Sequence, residues 1–413
     1  MKTVAMAWRN LFRQKRRTLI TLSALIIGLC GLVIFQGYIG SLMRGFRDST
    51  IRSGIGHLQI AASSGYFEDG EFNPFAFQLK DAETIIEGLE KDPEVQAVFP
   101  STGFTAVAGM GEKSVTLLMK GYPAERMYFT PAAGTPASGT PTAPQDRFTL
   151  GTMTAGALAG AGQRDRIVLG ETAARILGAA PGSVITLMAV LPEGGLNGRD
   201  FTVSGIYKAP GRDKIFAFTD YDTAMDFTRL AAAPVIHVLA KDIQAAGAAA
   251  ARLPHGVAVR TWHDLATYFV QVNTMFAGFL NVIRAIILLV TLFILANTMN
   301  RIVRERMREW GTLRAVGTKK STVLFLVVLE GCFLGTAGAV LGIALGFGVS
   351  FLINQAGGLP FVTDGQRLAI KILMSGQSVW LNLIPAAVVG ALASFLPGLR
   401  AVRLTPSECL RQV

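Results

Sequence analysis

The sequence predicts an α-helical membrane protein with four transmembrane helices plus a large mixed α/β extracytoplasmic domain. Two observations predict it: four apolar stretches, and basic clusters placed before the first, after the second, before the third and after the fourth. Lys and Arg near a span end resist translocation, so these clusters mark the cytosolic side and place both chain ends there. The clusters account for the charge. Residues 1–17 hold six basic residues and no acid, and residues 300–320 hold seven basic residues against Glu305 and Glu309. The tail from Pro397 adds Arg400, Arg403 and Arg411 against Glu408, so these segments exceed the whole chain's net +11. Residues 42–271 hold 20 basic and 23 acidic residues, the balance of an ordinary soluble domain. A nucleic-acid binder needs a basic stripe on a folded domain, and this domain has none.

Residues 1–17 carry Val4, Trp8, Leu11 and Phe12 at helical spacing among cations, which predicts an interfacial amphipathic helix; a disordered basic tail is the alternative. Span 1 is predicted over 18–42. Its apolar run exceeds a signal-peptide core, and Leu29 before Cys30 spoils a lipoprotein-cleavage box, so an uncleaved anchor is expected. Residues 43–274 form the extracytoplasmic domain. Cys30, Cys332 and Cys409 all lie outside it, so it needs no disulfide and relies on its core. Within it, strands are expected at 56–61, 95–99, 115–120, 167–169, 184–189, 201–207 and 235–240. Helices are expected at 81–91, 171–177, 222–230 and 242–253, with a Pro/Thr/Gly/Ala-rich loop at 131–144. The β–α–β units at each end suggest one domain interrupted by another, with the insert at about 126–212.

Span 2 is predicted over 275–299, a cytosolic coupling segment over 300–321, and span 3 over 322–353. A short extracytoplasmic loop follows over 354–378, then span 4 over 379–399 and a cytosolic tail over 400–413. Span 3 would be roughly 50 Å long at about 1.5 Å per residue, well beyond the about 20 residues a bilayer core needs. It is expected to tilt or protrude. Gly331, Gly335, Gly338, Gly342 and Gly346 recur along it at a spacing that lets helices approach closely, within or between subunits; glycine's general frequency in membrane helices is the bland reading.

No nucleotide, metal or nucleophile motif emerges. Gly111-Glu112-Lys113-Ser114 and Gly317-Thr318-Lys319-Lys320-Ser321 both miss the phosphate-loop pattern, so this chain is not expected to hydrolyse ATP. His57, His237, His255 and His263 form no ligand pair, and Glu68, Asp69 and Glu71 read as a solvated turn rather than a calcium site. No catalytic residue and no cofactor are expected in this chain. Two charges fall within spans, Arg284 and Glu330, near opposite faces, so a direct pair is not expected. Two such charges support an ion-driven carrier poorly.

The most specific stretch is Arg308-Glu309-Trp310-Gly311-Thr312-Leu313-Arg314-Ala315-Val316-Gly317. Trp310, Leu313 and Val316 recur at helical spacing, Gly317 is placed to stop the helix, and Thr318 or Ser321 to cap the next one. A short helix between two spans suits force transmission from a cytosolic partner; a solvated connector is the alternative.

This stretch resembles the coupling segment R-E-x-G-x-L-R-A-x-G of the MacB/LolC/LolE/FtsX-type ABC transporter permeases, the type VII or mechanotransmission class. The opening Ala7-Trp8-Arg9-Asn10-Leu11 with Arg13, Lys15, Arg17, Thr18 and Leu19 is similar to the family's first helix and span. The close, Pro397, Arg400, Ala401, Leu404, Pro406, Leu410 and Arg411, resembles the family's P-x-x-R-A-x-x-L-x-P-x-x-x-L-R. Ile167–Gly170 with Glu171, Leu177, Gly178, Pro181 and Gly182 resembles its inserted periplasmic module.

The resemblance implies a porter-like domain with a sabre-like insert, in an inner-membrane permease subunit. It implies ATPase coupling through Arg308, Glu309, Trp310, Gly311, Leu313, Arg314 and Gly317. Its implied partners are two separate ABC ATPase subunits, which bind ATP and Mg, a second permease copy or paralogue, and membrane lipids, with a periplasmic or outer-membrane partner left open. Length and the lack of a fused ATPase favour the lipoprotein-releasing LolC/LolE subgroup. The expected function is extraction or export of a lipoprotein or other hydrophobic substrate. An FtsX-like signalling scaffold and an ion-coupled secondary transporter are the alternatives.

Overall fold

The computed structural model describes residues 15–70, 73–131, 145–158, 160, 162–191, 194–209, 216–254, 256–363 and 366–403. The expected amphipathic helix falls almost entirely outside them, as do Glu71, the loop after Pro131, His255 and the end of the tail. The chain divides into two compact units, Phe46–Gln271 and the remainder.

The first unit is helical. Four helices in it are long and apolar enough to cross a membrane. They run Lys15–Thr50, Thr267–Glu305, Lys320–Gln355 and Gly376–Arg403, here spans 1 to 4. Helix is the form these sequences must take in hydrocarbon, because it pairs every backbone N–H and C=O within the segment. The helices have 36, 39, 36 and 28 residues, so the length expected to set span 3 apart is shared by spans 1 and 2. Their polar flanks continue the helix past the apolar run. Pro385 and Pro397 both sit inside span 4.

One core joins all four spans. Leu25 and Leu29 of span 1, Leu295 and Met299 of span 2, Val323 and Leu334 of span 3, and Ala386 and Ala393 of span 4 are buried together. Thr21 and Thr298 share a 2.9 Å hydrogen bond between spans 1 and 2. Between spans 3 and 4 the expected loop is instead an antiparallel hairpin, Leu359–Thr363 against Gln366–Ile370. The chain after it is pinned: Asn354 donates to Ile372 O and accepts from Ile372 N, and the Leu373 N–H donates to Ser41 Oγ.

The second unit is α/β. Its strands are β1 Leu58–Ala61, β2 Val95–Met110, β3 Lys113–Tyr122, β4 Met127–Pro131, β5 Phe148–Gly156, β6 Arg166–Gly170, β7 Val184–Val190, β8 Leu196–Lys208, β9 Phe216–Asp220, β10 Val235–Ala240 and β11 Ala258–Thr261. They follow the order β11-β1-β10-β2-β3-β9-β6-β8-β5-β4, with β7 against β2 and β8. Strand β2 changes partner along its length. Val95–Ser101 pairs with β10, and Thr102–Met110 pairs with β3. The second set of strands therefore begins at Thr102.

Each sheet buries its own helices. Helices α1 Ala82–Glu90 and α4 Ile243–Ala250 place Ile85, Leu89, Ala245 and Ala249 on Leu58, Ile60, Ile236 and Val238. Helices α2 Glu171–Leu177 and α3 Tyr221–Thr228 place Leu177 and Phe227 on Phe104, Leu117, Ile185, Leu187 and Phe201. An aromatic core holds Phe99, Tyr122, Phe148, Tyr207 and Phe218, with the Phe99 and Phe148 rings 5.0 Å apart. His237 is part of it. Its Nδ1–H donates to Ile55 O, a carbonyl that can only accept, and its Nε2 lies 2.7 Å from the Ser101 hydroxyl. Both ring nitrogens of this core histidine are satisfied.

Candidate functional site

The coupling segment folds as a short helix, Met307–Ala315, between spans 2 and 3. The chain leaves helical geometry at Arg306 (φ −105°, ψ 15°), which caps this helix and ends span 2. At its far end Gly317 takes φ +96°, a left-handed conformation that glycine adopts without strain. There the Thr318 N–H closes on Leu313 O and the Gly317 N–H on Arg314 O. Span 3 then starts from Lys319, whose side chain makes no cap. The expected cap from Thr318 or Ser321 is not formed.

Arg306 organises the site. Its Nη1 donates to Glu330 Oε1 at 2.8 Å and its Nε to Glu309 Oε2 at 2.8 Å. Its guanidinium lies 4.8 Å from the centre of the Trp310 ring. The Glu330 side chain is only 5% exposed and that of Arg306 15%. A carboxylate at that depth is costly unless it is paired and hydrogen-bonded. Glu330 therefore has its partner at the end of span 2, and Arg284 is not that partner. Arg284 instead donates from Nη1 to Asn281 Oδ1 on its own helix.

The remaining coupling residues divide by face. Trp310 and Gly311 are buried, and Leu313 packs on the core around Val323 and Leu326. Arg314 Nη1 donates to Val402 O in span 4, and Arg400 of span 4 donates to Asn300 Oδ1 of span 2. Only Arg308, Thr312, Ala315, Val316 and Gly317 are exposed, Val316 to 87%. The apolar stripe read from the sequence thus splits: Trp310 and Leu313 hold the helix to the bundle, and Val316 faces outward. Sequence reasoning missed the role of Arg306, which no local spacing links to Glu330 24 residues away, and the outward placement of Val316.

The glycine stripe of span 3 meets two neighbours in turn. A Cβ on Gly331 would collide with Ser394 Oγ and lie 2.5 Å from Gly390 O, and one on Gly335 would lie 2.5 Å from Ala386 O, all in span 4. A Cβ on Gly338 would lie 3.0 Å from Leu25 Cβ, one on Gly342 2.9 Å from Leu29 Cβ, and one on Gly346 3.2 Å from Val33 Cγ1, all in span 1. Both contacts lie within one chain. Among the described residues, no group of three or more His, Cys, Asp and Glu is placed to hold a metal.

The fold and this site define a class: a four-span membrane protein with an α/β domain between its first two spans and a short helix tied to the bundle by ion pairs. Comparison with known proteins gives the family. The MacB-like periplasmic core domain matches residues 18–255, more than half of the chain, and the FtsX-like permease C-terminal domain matches residues 281–406. The chain belongs to the MacB/FtsX family of ABC transporter permeases. The uncharacterised ABC transporter permease YvrN of Bacillus subtilis is 26% identical over 239 residues, 52% of this chain and 56% of that protein. The macrolide export ATP-binding/permease protein MacB of Psychrobacter cryohalolentis is 32% identical over 114 residues, 28% of this chain and 16% of that protein. The match therefore spans little more than half of the first relative and far less of the second. The crystal structure of the periplasmic region of MacB from Actinobacillus actinomycetemcomitans aligns at a TM-score of 0.36 and 16% identity, covering 53% of this chain and 94% of that one.

Proposed function

We propose that this permease transmits work from a separate ATPase to its α/β domain, and that the work extracts or exports a lipoprotein or other hydrophobic substrate. Two ATPase subunits, carrying ATP and Mg, would dock on the coupling helix of each of two permease copies, identical or paralogous. The chain itself would do no chemistry. The coupling helix and both termini would face the cytosol, and the α/β domain the periplasm, across the inner membrane.

The observation that carries this reading is the anchoring of the coupling helix. Arg306 joins it to Glu330 of span 3, and Arg314 joins it to Val402 of span 4. A push on its exposed face is passed to two spans rather than absorbed in a loose connector. Chemistry inside the spans is scarce, which suits a lever better than a polar conduit.

The test is purification of the full chain from its native membrane, followed by reconstitution with whatever ATPase accompanies it. ATP-dependent release of a lipoprotein from proteoliposomes is the expected result. Failure of any ATPase to co-purify sinks the coupling model. ATP turnover that activates a cell-wall hydrolase with no release of lipoprotein would mark a signalling scaffold instead.

A further inference from the structure

The α/β unit holds a cleft of about 460 Å³ that plays no part in the coupling described above. It opens beside Arg47, Arg52, His57 and Lys241, with Asp48 and Asp242 as the acidic side chains. Both acids are turned to neighbours. Asp48 Oδ1 accepts from Arg47 Nε and Nη2, and Asp242 Oδ1 accepts the Ala245 N–H at the start of α4. Arg47 and Asp48 pair with each other, so Arg52 and Lys241 against Asp242 leave the cleft with one positive charge in excess.

His57 adds a donor of defined direction. Its Nδ1 accepts the Ala240 N–H, so the neutral ring carries its proton on Nε2, the nitrogen turned away from Ala240. Burial first, then the charge of Arg52 and, more weakly, Arg47, hold His57 below the ordinary histidine range, against the opposing pull of Asp48 and Asp242. Those cations are thus close enough to act on one point. Fixed N–H donors around a concave positive site match the geometry and charge of a phosphate group. Position along the chain favours a lipid source. Arg47 follows Met43 by one turn of the same continuous helix, where span 1's apolar run ends.

We propose that this cleft binds a phosphate group, with the headgroup of an anionic phospholipid as its natural source. A bound anion offsets the cations that now oppose protonation of His57. Binding and protonation of His57 therefore favour each other, and binding tightens as the pH falls.

The test uses the full chain in detergent with three probes: dihexanoyl-phosphatidylglycerol, inorganic phosphate, and dihexanoylglycerol, which has the chains without the phosphate. The phosphate-bearing lipid should bind the wild type, and Arg52→Gln with Lys241→Gln should weaken it about tenfold or more, the scale of a lost charge-assisted contact. Thermal melts of each variant show that the fold is kept. His57→Gln should keep binding but lose the rise seen as the pH falls through and below the ordinary histidine value of about 6.5. Competition by inorganic phosphate would identify a free-phosphate site, and lipid binding that phosphate does not displace would identify a headgroup site; either supports the phosphate chemistry. Equal binding of dihexanoylglycerol, unchanged affinity in the folded double variant, or binding independent of His57 and pH would each overturn the proposal.

Discussion

Arg306 Nη1 donates to Glu330 Oε1 at 2.8 Å, joining the residue that ends span 2 to one buried in span 3. The same guanidinium holds Glu309 and covers Trp310, so the coupling helix starts on a charge that cannot move without uncovering another.

Removing one member of this pair should therefore cost more than removing both. Arg306→Met or Glu330→Gln alone should destabilise the chain by about 3–5 kcal/mol, the usual cost of stranding a buried charge or its partner. Arg306→Met with Glu330→Leu should recover most of that loss. A double-mutant cycle on thermal or denaturant midpoints measures it, and additive losses would show that the pair is not energetically coupled.

Val316 and Arg308 give the test of docking. Glu309 is a poor site for charge reversal, because Glu309→Lys would also disturb Arg306. Val316→Asp and Arg308→Glu alter only exposed positions and should leave the stability within about 0.5 kcal/mol of wild type. Each should weaken ATPase-subunit binding by about tenfold or more, as charge changes at an interface do. Unchanged binding in both would remove this face from the interface.

The glycines should separate two contacts. Gly338→Leu with Gly342→Leu should push span 1 from span 3 and abolish output, while cross-links between spans 3 and 4 persist. Gly331→Leu should do the reverse, since its Cβ would meet the backbone oxygen of Gly390. Close backbone approach tolerates no side chain at either place. Cysteine cross-linking across each pair of spans reads the result, and normal transport in the Gly338/Gly342 variant would refute the lever.

The proposed orientation rests on the charge pattern and can be tested by labelling. In a background without native cysteines, Ser63→Cys should react with a membrane-impermeant maleimide added outside, and Val316→Cys should react only after permeabilisation. Reversed labelling would overturn the topology and the transport reading together.

Much of this architecture was legible because each signal was local. The apolar spans need only composition, and Val235–Ala240 is a strand from Val235 to Ala240 because its β-branched run is flanked by turn residues. Strand β2 was read as five residues but has 16, since Pro100, Gly103 and Gly109 look like breakers and are here carried within a paired strand. The hairpin after span 3 was read as loop although Asp364-Gly365 between two extended runs is a strong hairpin signal. The glycine spacing announced close packing, yet which helix lies opposite each glycine depends on tertiary crossing. Glu330 was flagged from its type and depth. Its partner was not, because Arg306 lies outside the apolar run and 24 residues away, and only the turn at Arg306 brings them together.

Strand β2 has a mechanical consequence. One continuous backbone serves as an inner strand of both sheets, so neither sheet can slide past the other without breaking its own ladder. The change of partner falls at the peptide that links Ser101 to Thr102. The Ser101 hydroxyl there is held by buried His237, which is itself anchored to Ile55 O. A torque applied to either sheet is carried by that joint and by the aromatic core around Phe99, Tyr122 and Phe148, and the ladder rungs beside Ser101 should be the first to exchange their amide protons under load.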